Sequence, residues 1–314
     1  MQKIIPHLWY DKEAKEAAEF YVSVFPTLSP ELESKITSSQ TLKNTPSGDC
    51  DIMAFKIWGY NFISISAGPY FKLNPSVSFM VNFDPSQDPS AKTRIDGVWQ
   101  KLSEGGQALM PLDKYPFSER YGWIQDKFGL SWQLILTNPQ GEERPLIMPS
   151  LLFTKPVNGK TKEATDFYIS VFTNSPYAKE NQNMRGALAL YTKDTPHEPE
   201  GSVMFTDFKL NNQWFVAMDS SLEHKFNFNE AVSLLIQCED QKEIDYFWEK
   251  LSFVPDAEQC GWLKDKFGIS WQVAPKRMSE MMQTGTPEQI ARVTQSFLKM
   301  KKFQLDELEK AFQG

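Results

Sequence analysis

The chain is short of the side chains from which most catalytic centres are built. It has three cysteines (Cys50, Cys238, Cys260) and three histidines among 314 residues. The cysteines show no CxxC spacing, which argues against a cysteine-rich zinc site or a disulfide framework and for a reducing compartment. No run approaches the ~18 apolar residues of a membrane span, and "MQKIIPHLWYDKEAK" has no apolar stretch of signal-peptide length. Basic charge is scarce too: 33 Lys and Arg stand against 40 Asp and Glu, a net charge of −7. A chain so charged offers no positive field to phosphate backbones or anionic lipid, so neither nucleic acid nor membrane is expected as a partner. No G-x-G turn opens a helix after a strand, and "EGG" at 104–106 follows a helix instead, so no dinucleotide or methyl-donor cofactor is expected. No G-x-S-x-G elbow occurs either. A cytoplasmic globular protein without a cofactor is the expectation.

What the chain does have is repetition. "YGWIQDKFGLSWQ" at 121–133 returns as "CGWLKDKFGISWQ" at 260–272 with nine of thirteen positions identical. Earlier segments repeat in the same order. "KEAKEAAEFYVSVF" at 12–25 matches "GKTKEATDFYISVF" at 159–172, and "FKIWGYNFIS" at 55–64 matches "FKLNNQWFVA" at 208–217. "FKLNPSVSFMVNF" at 71–83 answers "FNFNEAVSLLIQC" at 226–238. This is a tandem duplication. Its boundary falls in the turn-rich "NPQGEERP" at 138–145, which gives one domain over 1–143 and a second over 144–314. Copy one carries longer insertions at "DPSQDPSAKTR" and "MPLDKYPFSER", read as loops.

Within each copy the periodicities predict strand, helix, strands, helix, strands. Ala14, Ala17, Ala18, Tyr21 and Phe25 recur at helical spacing, and "IIPHLWY" reads as a strand. Hairpins are predicted around Gly59 and around Asn211-Asn212. "DKFG" is turn chemistry, so Asp126, Gly129, Asp265 and Gly268 are structural residues. Gln133 and Gln272 lie on strands among large apolar neighbours. Each must find a partner, either tying the sheet together or reaching a ligand in a cavity. A helical segment, "TPEQIARVTQSFLKMKKFQLDELEKAF", follows copy two alone.

Repeated β-α-β-β-β units closing on "D-K-F-G-x-S-W-Q" resemble the vicinal oxygen chelate superfamily, which includes glyoxalase I, extradiol dioxygenases and bleomycin-resistance proteins. More narrowly they resemble its PhnB-like branch, whose members are often labelled 3-demethylubiquinone-9 3-methyltransferase. The C-terminal "ARVTQSFLKMKKFQLDELEKAF" resembles the end of single-domain members. The resemblance covers essentially the whole chain. It implies an α+β fold of two tandem glyoxalase/bleomycin-resistance-type domains. Each domain would pair two βαβββ units into a curved sheet around a cup, and a helical segment would follow the second. Single-domain relatives usually dimerise, so the resemblance implies an intramolecular pseudo-dimer, with further dimerisation left open.

Metal-using relatives aim His, Glu, His and Glu into the cup. Carried over, the last position falls on Gln133 and Gln272 and the third on Ser78 and Ser233. The second falls on or beside Ser64 or Ser66, and Ala217 or Asp219. The first falls on His7 and Ser150. Such a set is expected to hold no metal. His7 itself is read as a hydrogen-bonded structural residue, and His197 and His224 as exposed loop residues. No catalytic residue is assigned. The expected function is small-molecule binding, of an aromatic or amphipathic ligand, in cups lined by His7, Ser64, Ser78, Trp123 and Gln133 in copy one. Copy two would contribute Ser150, Asp219, Ser233, Trp262 and Gln272. The alternatives are an enzyme of the superfamily, either a methyltransferase or a metal-dependent lyase or dioxygenase, and a scaffold in which one copy has become purely structural.

Overall fold

The computed structural model describes residues 2–138 and 140–314, so Pro139, within the expected boundary segment, lies outside the described residues. Copy one opens with β1 (Ile4–Tyr10), α1 (Ala14–Val24), β2 (Lys35–Thr45), β3 (Gly48–Ile57) and β4 (Tyr60–Ser66). Its second unit is β5 (Val77–Phe83), α2 (Ala91–Ser103), β6 (Gln107–Tyr115), β7 (Ser118–Gln125) and β8 (Ser131–Leu136). Copy two repeats the plan with β9 (Ile147–Phe153), α3 (Thr161–Thr173), β10 (Met184–Leu190), β11 (Val203–Leu210) and β12 (Gln213–Asp219). It closes with β13 (Val232–Cys238), α4 (Gln241–Leu251), β14 (Trp262–Lys264) and β15 (Ser270–Pro275). The tail folds as α5 (Lys276–Thr284), α6 (Pro287–Phe297) and α7 (Leu305–Gln313).

The α+β class and the tandem plan hold. The local signals hold as well. The β3–β4 turn takes Trp58 and Gly59 through positive φ (47° and 77°), and the β11–β12 turn does the same with Asn211 and Asn212 (48° and 64°). The "MPLDKYPFSER" insertion is not a loop but the β6–β7 hairpin, and α2 begins inside the other insertion, at Ala91. The tail is broken between α6 and α7, and α6 is closed at its start by a Thr286–Gln289 capping box.

One expectation changes. A copy's two units do not share a sheet. The seven-stranded sheet runs β14-β15-β13-β1-β4-β3-β2, and the eight-stranded sheet runs β10-β11-β12-β9-β5-β8-β7-β6. Each sheet thus joins a unit of one copy to a unit of the other, through the antiparallel pairs β1–β13 and β5–β9. What a copy's two units share is a core. Phe62 of β4 meets Phe79 of β5 with ring centroids 4.9 Å apart, and Tyr21 of α1 meets Trp132 of β8 at 5.4 Å. In copy two, Phe172 of α3 meets Trp271 of β15 at 6.2 Å. Burying Trp132 and Trp271 almost completely (0% and 1% exposed) ties each copy together, while backbone pairing ties the copies to each other.

Every sheet therefore has one face on this aromatic core and one face turned away, the cup face. On the seven-stranded sheet the cup face is roofed by the tail. Met281, Val293, Phe297 and Leu308 cluster there with Leu42 and Cys50, and Trp9, Ile52, Ile65 and Ala274 pack at the margin. Backbone bonds anchor the tail to β14's approach, from Cys260 N to Met300 O (2.8 Å) and from Gly261 N to Lys301 O (2.7 Å). On the eight-stranded sheet the cup-face cluster is made of strand residues alone: Met80, Met148 and Val216, with Ile135, Phe205, Trp214 and Met218.

Candidate functional site

The repeated signature is first a clamp. Asp126 Oδ1 accepts the backbone N–H groups of Phe128 (2.9 Å) and Leu130 (3.1 Å), and its Oδ2 accepts the indole N–H of Trp132 (2.9 Å). Asp265 repeats this with Phe267 (2.8 Å), Ile269 (3.0 Å) and Trp271 (2.8 Å), and also accepts from the Tyr168 hydroxyl (2.7 Å). Gly129 and Gly268 leave each turn at φ +90°, a conformation that glycine adopts at least cost. Burial pushes the Asp126 carboxyl up to about 6 and raises that of Asp265, even though the donors around each oppose the shift. Both aspartates are structural, as the turn chemistry indicates.

Two expected lining residues face the wrong way. Ser64 donates to the carbonyl of Ala14 (3.1 Å), so it points at α1 and not into a cup. Asp219 accepts from Gly159 N (2.7 Å), Thr161 N (3.3 Å) and Thr161 Oγ1 (2.8 Å), so it secures the start of α3. On those strands the cup face belongs to Ile63 and Ile65, and to Val216 and Met218. A strand alternates faces at every residue, so placing the position one residue off reverses its direction. Ser66 likewise faces α1, accepting from Ala14 N (3.1 Å).

The other eight come together, but across the copies. In the seven-stranded cup His7 pairs in register with Ser233, and Gln272 donates from Nε2 to Ser233 Oγ (2.8 Å). Trp262, opposite Gln272 on β14, presents its ring to His7 edge-on at 5.5 Å. In the eight-stranded cup Gln133 Nε2 donates to Ser78 Oγ (2.8 Å) and Ser150 Oγ (3.2 Å). There the Tyr121 hydroxyl donates to Gln133 Oε1 (2.8 Å), and Trp123 Nε1 donates to Ser131 Oγ (2.7 Å). The expected grouping by copy is thus replaced. His7 belongs with Ser233, Trp262 and Gln272, and Ser150 with Ser78, Trp123 and Gln133, because β1 pairs with β13 and β9 with β5.

The two polar sets differ in completeness. Gln133 uses both ends of its amide. Gln272 stands at the same place, but Tyr121's position is taken by Cys260, whose sulfur accepts from Gln259 Nε2 (3.4 Å) instead. Ser150's position is taken by His7, which is 6% exposed and whose Nδ1 has no hydrogen-bond partner among the described residues. Against expectation, His7 is not tied into the structure at this nitrogen. Burial alone pushes its pKa down to about 3, so it is neutral at physiological pH. His197 is exposed as expected. His224 is half-buried and hydrogen-bonded with Ser220 (2.9 Å).

Trp9 and Tyr121 were not singled out from sequence. Trp9 lies at 5.9 Å from Trp262 and 5.1 Å from Phe71, which adds two rings to the aromatic wall around His7. Aligning the two signatures position by position would have flagged Tyr121, since Tyr-to-Cys is the one difference there that removes a hydroxyl. A separate groove of about 940 Å³ lies at the seam between the copies, lined in part by Gln2, Trp58, Arg144 and Gln213. Its polar groups are largely spent within the protein. Arg144 holds Asp207 (2.7 Å) and Glu142 (2.9 Å), and Gln213 brackets the backbone of Ile4.

In the seven-stranded cup His7, Ile63, Ser233 and Gln272 share one face. In the eight-stranded cup Ser150, Val216, Ser78 and Gln133 do the same. One imidazole without a carboxylate does not fit a divalent ion. Among the described residues no three His, Cys, Asp or Glu side chains stand close enough to hold one. No helix of the described residues is long and apolar enough to cross a membrane.

Comparison with known proteins agrees with the duplication. The family model described as 3-demethylubiquinone-9 3-methyltransferase matches twice, over residues 2–135 and 145–274. The PhnB protein from Bacillus cereus is 34% identical over 43% of this chain and 100% of its own, with a TM-score of 0.37. Glyoxalase I from Zea mays is 11% identical over 86% of this chain and 92% of its own, with a TM-score of 0.48. The fosfomycin resistance protein from Listeria monocytogenes is 11% identical over 42% and 90%, with a TM-score of 0.29. No protein of curated function matches the chain. With the model matched once in each copy, the chain belongs to the 3-demethylubiquinone-9 3-methyltransferase family.

Proposed function

We propose that the protein binds a small molecule in the seven-stranded cup, on a polar floor of His7, Ser233 and Gln272 walled by Trp9 and Trp262. The observation that carries this reading is the unpartnered, buried Nδ1 of His7. Leaving a buried polar atom unpaired costs roughly 1–3 kcal/mol, and a ligand that pairs it recovers that energy on binding. The eight-stranded cup has no such vacancy, because Gln133, Ser78, Ser150 and Tyr121 satisfy one another. In this reading that cup is structural. The chain acts as an intramolecular pseudo-dimer, divided at 143/144, in which each cup draws on both copies. A cytoplasmic location remains part of the proposal, and its support is the three free cysteines.

The test is a thermal-shift and native mass spectrometry screen of aromatic and amphipathic compounds. Hits are expected to be lost in His7→Phe and Gln272→Leu and kept in Gln133→Leu. Hits that follow Gln133 instead would sink the assignment of the cup. The family's description also motivates a second reading, methyl transfer. Calorimetry against S-adenosylmethionine decides it, and micromolar binding would favour the enzyme.

A further inference from the structure

Resting on the seven-stranded cup as the binding site, we propose that its ligand is an uncharged amphipath: one hydrogen-bonding head group on an unbranched apolar body that runs from the His7 floor to the tail helix α5. The head group is set by the floor, where His7, Ser233 and Gln272 are brought side by side. The apolar body is set by what surrounds that floor. Ile63, Ile65, Leu235 and Ala274 are the flanking cup-face residues, and all four stay half-buried even under the tail. Two of their counterparts across the duplication are buried more deeply. Leu235 corresponds to Met80, which is 6% exposed, and Ile63 to Val216, which is 0% exposed. At those two positions the eight-stranded cup is closed and the seven-stranded cup is not, whereas the pairs Ile65 with Met218 and Ala274 with Ile135 are half-buried in both cups.

The far wall comes from α5, whose Met278 and Met282 pack at the edge of the same tail cluster that Ile52 and Ile65 border. Methionine is unbranched and adaptable, which suits contact with a flexible chain better than with a rigid polar ring system. Charge is excluded by the same surroundings. His7 is held neutral by burial, and Lys264, at the end of Trp262's strand, is already neutralised by Glu230 at 2.5 Å. An ionic head group would reach the floor with no counter-charge beside it.

Three probes of one chain length separate these terms: 1-octanol, octanoate and octylamine, titrated by calorimetry at pH 7 into the full chain. Octanol is expected to bind at least about tenfold more tightly than either ion, the discrimination expected when an unpaired charge must be buried. Ile65→Asp is expected to abolish octanol binding. Met218→Asp, at the matching position of the other cup, is expected to leave it unchanged. If Ile65→Asp fails to fold, Ala274→Phe fills the same space and is expected to weaken octanol at least about tenfold. Equal or tighter binding of either ion, or sensitivity to Met218→Asp, overturns the inference. Should the octyl probes fail while indole or phenol binds in a His7-dependent way, the chain-bearing ligand is wrong and the cup stands. Binding of octyl or aromatic probes that ignores both His7 and Ile65 removes the cup itself.

Discussion

The two cups are built from the same parts, and they differ in what is left unpaired. In the eight-stranded cup a serine, a second serine and a tyrosine saturate one glutamine. In the seven-stranded cup a histidine and a cysteine stand where that serine and tyrosine would be, and the glutamine keeps one partner. Two side-chain differences separate a closed polar network from one with a vacancy. The roof follows the same division, since the helices after β15 pack over the seven-stranded cup. The comparison teaches that duplication preserved the clamp and the core in both copies, while the cup faces diverged.

The largest expected effect tests what the cups share. Trp132→Ala and Trp271→Ala should each cost about 3–5 kcal/mol of unfolding free energy, because both indoles are fully buried and held by an aspartate. Urea denaturation measures this, and a difference of more than about 2 kcal/mol between the two would show that the copies are not architecturally equal. The next effect belongs to one cup only. His7 has a folded pKa of about 3 against 6.5 when unfolded, so the unfolded chain takes up a proton that the folded chain refuses. Stability from this group is complete above 6.5 and is lost as pH falls toward 3, about 3 kcal/mol between pH 7 and pH 4. Asp126 works in the opposite sense. Its raised pKa of about 6 makes the folded state the better proton binder, so its contribution grows as pH falls from 6 toward 3.8. The difference between wild type and His7→Phe isolates the histidine, and the variant should show the shallower loss in acid. A slope unchanged by the substitution would mean that His7 is not buried neutral.

The smallest effect converts one cup toward the other. His7→Ser places a hydroxyl where Ser150 stands, so Gln272 gains a second acceptor and the orphaned nitrogen disappears. Stability at pH 7 should rise by about 1 kcal/mol while ligand binding is lost. A variant that keeps its ligand would show that the vacancy at His7 is not what binds it.

Much of this was legible in the sequence wherever the chemistry was local. The Asp–Gly turns, the Asn211-Asn212 and Gly59 hairpins, the periodicity of α1 and the repeat itself each reside in a few consecutive residues. The pairing of units was not legible. β1 would find equivalent edges on β5 and on β13, because the copies present the same patterns, and only the assembled core decides between them. Ser64 and Asp219 failed for a different reason. The strand was right, but the facing depends on a register of one residue, and small polar residues are tolerated on either face when a helix end needs a partner. The vacancy at His7 was hidden because it is a property of two strands from opposite halves of the chain.

The crossing of strands between copies has a consequence for how such a protein changes over time. If two identical chains paired in this way, symmetry would force both cups to be the same, and any substitution would appear in each. Joined in one chain, the halves are released from that identity, yet each still supplies part of the other's floor. A substitution in the first half can therefore alter a site completed by the second and leave the sister site untouched. The fold thus lets one hollow change while the other keeps its form.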